Sequence, residues 1–239
     1  MKICAIIPAR GGSKTIPRKN IKLFLGKPLI YYSIKQAQDS KYINRIILTT
    51  DDEEIRQIGI KCGAEAPFLR PKEISGDLST DLEFFQHYLQ WTKDNDPDKI
   101  PDILVQLRPT YPTRSVKLID ECIELLINNY QYDCVRTISE YNSKTPFKMY
   151  TVENNYIKPL FKEYNGLKEP YNLCRQEFPP IYTSNGCVDV IKTETIIQKK
   201  SVSGNIMYPK ILDETEIDDI DTIEEWTISE QKYKHKYGC

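Results

Sequence analysis

Two hydrophobic patterns alternate along the chain. Short apolar runs that end in turn residues or acids are typical of buried strands in a parallel sheet. Between these runs, apolar residues recur at intervals of about three to four positions, which predicts amphipathic helices. The predicted strands are 3–8, 45–50, 66–70, 103–107, 133–138 and 187–191. The first predicted helix follows Pro28, and the others cover 53–62, 80–93, 115–128 and 224–234.

Strand and helix alternate from residue 3 to residue 138, and this alternation predicts an α/β fold. The sheet should be doubly wound and mostly parallel, with right-handed crossovers. The 239 residues suit a single domain covering 1–239. Because ligands of such sheets bind outside the carboxyl ends of the strands, we expect the functional residues in the loops that follow the strands.

Residues 141–183 break the alternation. The segment is rich in Tyr, Asn, Lys and Pro and has no clean period. Tyr combines apolar area with a polar tip, and Tyr-rich polar segments often form insertions or subunit contacts. We interpret 141–183 as an insertion within the domain, and a long surface loop is the alternative.

Composition and charge narrow the class of protein. The 33 Lys and Arg residues balance 34 Asp and Glu residues, whereas a dedicated nucleic-acid binder would be basic. No apolar run approaches the roughly 18 residues of a membrane span, and the N-terminal apolar stretch is too short for a signal sequence. We therefore expect a cytoplasmic protein with no nucleic-acid or membrane partner. Seven dispersed Cys and only two His support neither a zinc site, a disulfide framework nor a His-based catalytic site.

The segment 8–20, which follows the first predicted strand, is rich in Gly and in cations. Gly11 and Gly12 allow a sharp turn and a close approach of the backbone to a ligand. Consecutive N–H groups in such a turn can surround phosphate oxygens. The spacing fits neither a Walker A motif nor a G-x-G-x-x-G motif. The cations of the segment are Arg10, Lys14, Arg18 and Lys19. A phosphate-binding loop is therefore favoured over a solvated basic turn.

Asp219 and Asp221 are the candidate metal ligands. In a strand, side chains at i and i+2 point to the same face. Two adjacent carboxylates repel each other unless a cation lies between them. Mg²⁺ is commonly bound by one or two carboxylates together with phosphates and water. The alternative is a solvated acidic stretch, since further acids lie nearby.

Five segments, in order along the chain, resemble motifs of the CMP-acylneuraminate synthetase family of cytidylyltransferases. Residues 9–20 resemble its A-R-G-G-S-K-G-I-P-x-K-N, 70–81 its R-P-x-E-L-x-x-D and 108–114 its Q-P-T-S-P-L-R. Residues 175–186 are similar to its R-Q-x-x-P…N-G, and 219–222 match its D-I-D-T. The resemblance spans about residues 3–230, nearly the whole chain.

The resemblance implies a fold like that of nucleotide-diphospho-sugar transferases and a nucleotidyl transfer. The anomeric hydroxyl of a 2-keto sugar acid, such as sialic or legionaminic acid, would attack the α-phosphorus of CTP. The products would be a CMP-sugar and pyrophosphate. The resemblance also implies Mg²⁺, or Mn²⁺, as the cofactor. It further implies a homodimer in which the insertion 141–183 serves for dimerisation and reaches the partner's substrate site.

The resemblance also implies roles for individual residues. The catalytic residues, which would hold the phosphates and the metal, are Arg10, Lys14, Lys19, Asp219 and Asp221. The nucleotide-binding residues would be Ala9, Arg10, Gly11, Gly12, Ser13, Lys14, Asn20, Arg70, Thr80 and Asp81. The sugar-binding residues would be Arg108, Lys148, Arg175, Gln176, Tyr182 and Asn185. Helix capping is the alternative for Thr80 and Asp81. For the sugar-binding candidates, the alternative is that they are polar side chains that face solvent and contact no ligand.

Two residues depart from the motifs of the family. Thr15 stands in place of a Gly, so the turn should not require a positive φ there. Arg108 stands where sialic acid synthetases commonly have Gln. A buried guanidinium without an acceptor is costly, so the substrate or a carboxylate in the pocket should face it. Arg108 also leaves an octulosonate or a phosphonate open as the acceptor. A non-catalytic nucleotide-binding relative would lack the loop cations or the Asp pair, and this chain has both.

Overall fold

The computed structural model describes residues 1–141 and 144–238, so Asn142 and Ser143 of the predicted insertion lie outside the described residues. The helices are α1 (Leu29–Asp39), α2 (Glu53–Lys61), α3 (Asp81–Asn95), α4 (Val116–Asn128), α5 (Thr193–Lys199) and α6 (Ile223–Tyr237). The strands are β1 (Ile3–Pro8), β2 (Leu23–Phe24), β3 (Lys27–Pro28), β4 (Arg45–Thr49), β5 (Ile103–Gln106), β6 (Cys134–Glu140), β7 (Tyr150–Glu153), β8 (Tyr156–Pro159), β9 (Glu163–Tyr164), β10 (Leu167–Lys168), β11 (Tyr182–Lys192) and β12 (Met207–Leu212).

The main sheet has six strands in the order β12-β6-β11-β5-β1-β4. Neighbouring strands are parallel except at β11, which runs antiparallel to both β5 and β6. The predicted doubly wound, mostly parallel sheet is therefore confirmed, with one antiparallel strand inside it. The five parallel strands end at the same edge of the sheet, which is the edge where ligands bind in such folds.

Helices cover both faces of the sheet and bury its apolar strands. Ile34 of α1 and Ile119 of α4 belong to the core on one face, whereas Phe85 of α3 belongs to the core on the other. A third cluster joins α6 to the hairpin β2–β3 through Trp226 and Phe24, whose ring centroids lie 5.6 Å apart. This cluster brings the C-terminal part of the chain back to the Gly-rich loop. In the described part of the chain, every helix is too short or too polar to cross a lipid bilayer.

The predicted strand at 66–70 is wrong. Among the described residues of this region, only Glu65 pairs with β4, in an isolated bridge. Pro67 has no N–H to donate to a ladder, and the Arg70 N–H is donated to the Thr50 carbonyl at 2.7 Å. The apolar pattern also fails to predict α5 and β12. In β12, an edge strand, exposed side chains alternate with less exposed ones, so no continuous apolar run marks it.

The segment 141–183, here called the insertion, runs from the end of β6 into the first two residues of β11 and forms two small hairpins, β7–β8 and β9–β10. Phe147 lies at the centre of its aromatic contacts, with ring centroids 4.3 Å from Tyr164 and 4.6 Å from Phe178. The two ends of the insertion meet, because the Tyr141 N–H is donated to the Ile181 carbonyl at 2.9 Å. The insertion therefore has secondary structure and aromatic packing of its own.

Candidate active site

A cleft of about 600 Å³ lies beside the carboxyl ends of β1 and β5. Its walls come from the Gly-rich loop after β1, from the loop 108–110 after β5, and from the segment 70–84 that leads into α3. Asp219 and Asp221, just before α6, complete the lining. The cleft therefore occupies the position that a parallel sheet favours for a ligand.

Most of the predicted catalytic and nucleotide-binding residues line this cleft. Those that do so, together with the sugar-binding candidate Arg108, are Arg10, Ser13, Lys14, Lys19, Asn20, Arg70, Thr80, Asp81, Asp219 and Asp221. Ala9, Gly11 and Gly12 belong to the same loop but do not line the cleft. The Ala9 N–H is donated to the Thr49 carbonyl at 3.0 Å, and the Gly11 N–H is donated to the Asp51 carboxylate at 2.9 Å. These two N–H groups are used inside the protein rather than for a ligand.

The Gly-rich loop turns without a left-handed residue at position 15. Thr15 has no positive φ, in agreement with the expectation from the missing Gly, and Arg18 takes the left-handed conformation instead, with φ of 57°. Arg18 also pairs with Asp52, which orders this part of the loop. Gly11 packs closely against Asp52, because a Cβ at this position would lie 3.0 Å from Asp52 Oδ2.

Carboxylates engage the three predicted phosphate-binding cations. Asp77 accepts from Arg10 Nη1 at 2.9 Å and pairs with Lys14 Nζ at 2.5 Å. Lys19 Nζ donates to Asp221 at 2.9 Å. An anionic ligand must therefore compete with Asp77 for Arg10 and Lys14. Asp77 is absent from the predicted site residues, because nothing local in the sequence shows that it reaches the Gly-rich loop.

Asp219 and Asp221 lie on an irregular segment, which corrects the assumption that they share a strand. Burial nevertheless alternates along it: Asp218 and Ile220 are buried, whereas Asp219 and Asp221 line the cleft. Ile220 belongs to the cluster around α6, and Asp218 accepts from the Thr113 hydroxyl at 2.9 Å. These inward residues hold the pair of carboxylates toward the cleft.

The surroundings of Asp219 suit a cation. Burial raises the pKa of its carboxyl and the charge of Asp221 raises it further, whereas the nearby Thr110 and Tyr111 hydroxyls and the charge of Lys19 lower it. A divalent ion between the two carboxylates would relieve their repulsion. Among the described residues, no group of three or more His, Cys, Asp or Glu side chains could hold a metal. A metal here would rest on two carboxylates plus ligand oxygens, a donor set that suits Mg²⁺.

Arg70 is a buried cation at the wall of the cleft. It is only 7% exposed, and within the described residues its Nε has no hydrogen-bond partner. Burial lowers the pKa of its guanidinium, and the guanidinium carbon lies 5.7 Å from the centre of the Phe84 ring. Because a desolvated donor without a partner is costly, an acceptor from a ligand in the cleft would stabilise the site.

Arg108 faces a carboxylate of the protein itself. Its Nη2 donates to Asp81 Oδ2 at 2.6 Å, and Gln106 Nε2 donates to the same oxygen at 3.0 Å. Asp81 is therefore the acceptor that we expected opposite Arg108. Because its carboxylate already accepts two hydrogen bonds, Asp81 is less suited to contact the base of a nucleotide. Thr80 is the N-cap of α3, in a capping box with Glu83, and it lines the cleft as well.

The other sugar-binding candidates do not line the cleft of this chain. Arg175 and Gln176 line a separate cavity of about 360 Å³ with Phe178. Lys148 lies in a short turn of the insertion, and Tyr182 begins the strand that leaves it. These four residues therefore belong to the insertion or to its exit strand, rather than to the loops around the cleft.

Asn185 is engaged inside the protein rather than at the cleft. Its Oδ1 accepts from the Cys187 N–H at 3.1 Å, and its main-chain oxygen accepts from the Tyr111 hydroxyl. Tyr111 is itself a site residue that sequence reasoning missed. Burial raises the pKa of its hydroxyl, and the charge of Asp219, more than a hundred residues further along the chain, raises it further.

The sequence of the chain is similar to a family model and to several known proteins. The family model described as "Cytidylyltransferase" matches residues 4–232. Pseudaminic acid cytidylyltransferase of Campylobacter jejuni is 32% identical over 234 residues, covering 98% of this chain and 97% of that protein. CMP-N,N'-diacetyllegionaminic acid synthase of Legionella pneumophila is 32% identical over 234 residues, covering 97% and 96%.

A solved structure is similar over the whole chain. CMP:2-keto-3-deoxy-manno-octonic acid synthetase, complexed with CTP, matches with a TM-score of 0.68 and 13% sequence identity. The match covers 99% of this chain and 100% of that one. At this identity the similarity shows that the two proteins share a fold.

Proposed function

The chain belongs to the cytidylyltransferase family, and we propose that it transfers the CMP unit of CTP to the anomeric hydroxyl of a nonulosonic acid. The observation that carries the proposal is the single cleft that gathers the loop cations, Arg70 and the Asp219–Asp221 pair. The relatives named for pseudaminic and legionaminic acids support the class of acceptor. A fold shared with an octonic acid synthetase makes an octulosonate the second candidate acceptor.

The proposed reaction forms one P–O bond and breaks another. The anomeric oxygen attacks the α-phosphorus and loses its proton, and the bond from the α-phosphorus to the bridging oxygen of the β-phosphate breaks. Pyrophosphate is the leaving group. In phosphoryl transfer the protein mainly positions groups and neutralises charge. Arg10 and Lys14 serve this purpose once the phosphates replace Asp77, and Lys19 lies beside Asp221 at the same wall.

Cytidylyltransferases of this type generally use divalent metal ions. We assign Mg²⁺, or Mn²⁺, to Asp219 and Asp221, because carboxylate oxygens are the donors that these ions prefer. When bound, the ion neutralises charge on the reacting phosphates. Around it, the chain itself supplies the ammonium of Lys19, which holds Asp221, and the hydrogen bond from the Ile220 N–H to the Thr110 carbonyl at 3.1 Å, which fixes the backbone beside Asp219.

We assign nucleotide binding to Asn20, Arg70 and Thr80. Cytosine presents acceptors beside its amino group, and the buried donors of Arg70 suit such acceptors. Thr80 retains its capping role while its side chain lines the cleft. Asn20 Nδ2 donates to the Arg10 carbonyl at 2.9 Å, so it also fixes the loop that carries the phosphate-binding cations.

The sugar end of the proposed site needs a second chain. Arg108 lines the cleft, but Lys148, Arg175, Gln176 and Tyr182 belong to the insertion or its exit strand and do not line it. The insertion also exposes apolar side chains, including Val152, Tyr156 and Ile157. A homodimer in which each insertion contributes to the site of the partner accounts for both observations.

The proposed function is tested by measuring pyrophosphate release from CTP with a panel of sialic, legionaminic, pseudaminic and octulosonic acids. We expect release to require CTP and one of the nine-carbon acids. Asp219→Asn serves as the inactive control, and UTP serves as the control for the base. Release with the octulosonic acid alone would move the protein to the second candidate. No release with any acid would contradict the proposed transfer.

A further inference from the structure

A buried guanidinium ties the loop that follows β5 to the strand β11. Arg114 is only 2% exposed, and its Nη2 donates to the Arg108 carbonyl at 3.1 Å. Its Nη1 donates to the Cys187 carbonyl of β11. One side chain therefore fixes the backbone of Arg108, which lines the cleft, relative to the strand that leaves the insertion.

Helix α1 supplies the other partners of Arg114. Arg114 Nε donates to Gln36 Oε1 at 3.0 Å, and its Nη2 donates to Ser33 Oγ at 2.7 Å. The Ser33 hydroxyl donates in turn to the Arg108 carbonyl at 3.0 Å. Because Ser33 and Gln36 lie three residues apart, both side chains leave the helix on the same face. The Arg108 carbonyl therefore accepts two hydrogen bonds, one from the helix and one from Arg114.

The charge of Arg114 has no carboxylate as its partner. Within the described part of the chain, its four acceptors are neutral oxygens of one amide, one hydroxyl and two peptides. Burial lowers the pKa of its guanidinium, so the cation is held here at a cost in desolvation. An apolar side chain of similar volume would fill the space without that cost, but it could not bond to three separate segments. The residue type therefore points to the hydrogen bonds, rather than to packing, as the purpose of Arg114.

The side chain of Arg108 is closely enclosed by the segments that Arg114 joins. Gly186, the residue before Cys187, has φ of +70°, and a Cβ there would lie 3.1 Å from Arg108 Nε. On the other side, Arg108 Nη2 donates to Asp81 at the start of α3. A shift of the loop relative to β11 would therefore change the point at which the Arg108 guanidinium meets the cleft.

We propose that Arg114 and Ser33 are positioning residues that hold Arg108 in place and thereby set the choice among sugar acids. The inference rests on the proposed function, because it requires Arg108 at the acceptor end of the site. Ser33 and Arg114 lie outside the lining of the cleft, so they act through Arg108 rather than on a ligand.

The test compares acceptors rather than overall turnover. The readout is the ratio of kcat/KM between the two best acids of the panel, because a loss of folded protein lowers both values alike and cancels in the ratio. We expect Ser33→Ala to change the ratio by about 2–10-fold, the effect of one neutral hydrogen bond. Arg114→Lys keeps the charge but loses the planar set of donors, and it should change the ratio by about 10–100-fold.

Two variants outside the cleft are matched controls. Thr92→Val removes a buried hydroxyl that donates to the Tyr88 carbonyl at 2.9 Å within α3. Arg45→Lys alters a guanidinium that pairs with Glu65 at the start of β4, the end of that strand opposite to the cleft. Both variants should leave the ratio at the value of the unmodified protein.

The direction of the change decides the positioning role. A shift like that of Arg108→Gln, with no further shift when Ser33→Ala is added to Arg108→Gln, supports it. If Ser33→Ala and Arg114→Lys lower kcat/KM for both acids alike, the positioning role is overturned and the role of Arg108 stands. Should Arg114→Lys fail to fold, Ser33→Ala still decides, because it removes only one hydroxyl.

Two further outcomes separate this inference from the function on which it rests. If Arg108→Gln itself leaves the ratio unchanged while transfer proceeds, Arg108 does not select the acid, and the inference fails although the proposed function stands. If the unmodified protein releases no pyrophosphate with any acid, the proposed function fails and the inference fails with it.

Discussion

Asp219 and Asp221 stand side by side in the cleft but in different surroundings. Asp219 is half-buried, whereas Asp221 is largely exposed and pairs with Lys19 at 2.9 Å. We expect Asp219→Asn and Asp221→Asn each to reduce turnover by about 10²–10³, or about 2.7–4 kcal/mol, as for the loss of one preorganised group at a reacting centre. Turnover measured across a Mg²⁺ titration checks this. Activity like that of the unmodified protein in both variants at limiting Mg²⁺ would exclude the metal assignment.

Arg108 provides a prediction about the acceptor. Arg108→Gln replaces a cation bound to Asp81 with a neutral amide that both donates and accepts. We expect the preference among sugar acids to shift toward N-acetylneuraminate, with the KM for CTP nearly unchanged. The measurement is kcat/KM for several sugar acids. Arg108→Lys, which keeps the charge, is the control. An unchanged ranking with weaker CTP binding would instead make Arg108 a phosphate ligand.

The site residues that the sequence predicts differ from those that it misses in how far apart along the chain their contacts lie. Arg10, Lys14 and Asn20 are recognisable because one short loop contains them, and the fold carries that loop to the cleft as a unit. Asp77 and Tyr111 gain their partners only when distant segments meet. No local pattern in the sequence marks such a meeting.

At the scale of elements, Asp133 fixes the connection between α5 and β12. Its carboxylate accepts from Lys199 Nζ at 2.6 Å and from the N–H groups of Asn205 and Ile206 at 2.6 and 3.1 Å. Gly204 lies against it with φ of +65°, and a Cβ there would come within 2.3 Å of Asp133. The Asp133 carboxylate therefore fixes the end of this connection and the start of the edge strand β12.

This contact predicts a pH-dependent contribution to stability. Burial alone would raise the pKa of Asp133, but Lys199 and the two N–H groups outweigh it and lower the pKa to about 2. The pKa of Asp133 in the folded protein therefore lies below its value of about 3.9 in the unfolded chain. The stabilisation is present above about pH 3.9 and is lost as the pH falls through about 2. We expect Asp133→Asn to reduce the free energy of unfolding by about 2 kcal/mol at pH 7 and by less in acid.

Urea unfolding at several pH values checks the prediction. Asp39→Asn is the matched control, since Asp39 forms an exposed i,i+4 pair with Lys35 on α1 and should contribute less than about 1 kcal/mol. Equal losses in the two variants, or a loss in Asp133→Asn that is independent of pH, would contradict the role given to Asp133.

The sequence predicts most elements of the sheet because β1 and β5 are buried on both faces and β4 is buried over its last three residues, so all three appear as short apolar runs. It does not predict the direction of β11. The direction of β11 depends on where the insertion joins the sheet, and no apolar run in the sequence encodes that position. β12 is missed for a related reason, because an edge strand exposes part of its side chains to solvent.

At the scale of the whole molecule, we predict a homodimer that depends on the insertion. Ile157, which is 66% exposed on the hairpin β7–β8, is a sensitive point. Ile157→Asp should give a folded monomer with little activity, because the partner's insertion would no longer reach the cleft. Ile197→Asp, at an exposed apolar side chain on α5, is the control. Light scattering reports the mass, and an intact protein that is active as a monomer would contradict the prediction.

The insertion leaves the sheet and returns to it at one point, where the Tyr141 N–H meets the Ile181 carbonyl. The residues of a segment closed in this way can change in number and type while β6 and β11 keep their pairing. The loops after β1 and β5, which carry the cations of the cleft, lie elsewhere in the chain. Under the proposed function, the part of acceptor choice that lies in the insertion can diverge separately from the nucleotide chemistry, and an exchange of residues 141–181 between relatives is a natural route to chimaeras with altered acceptors.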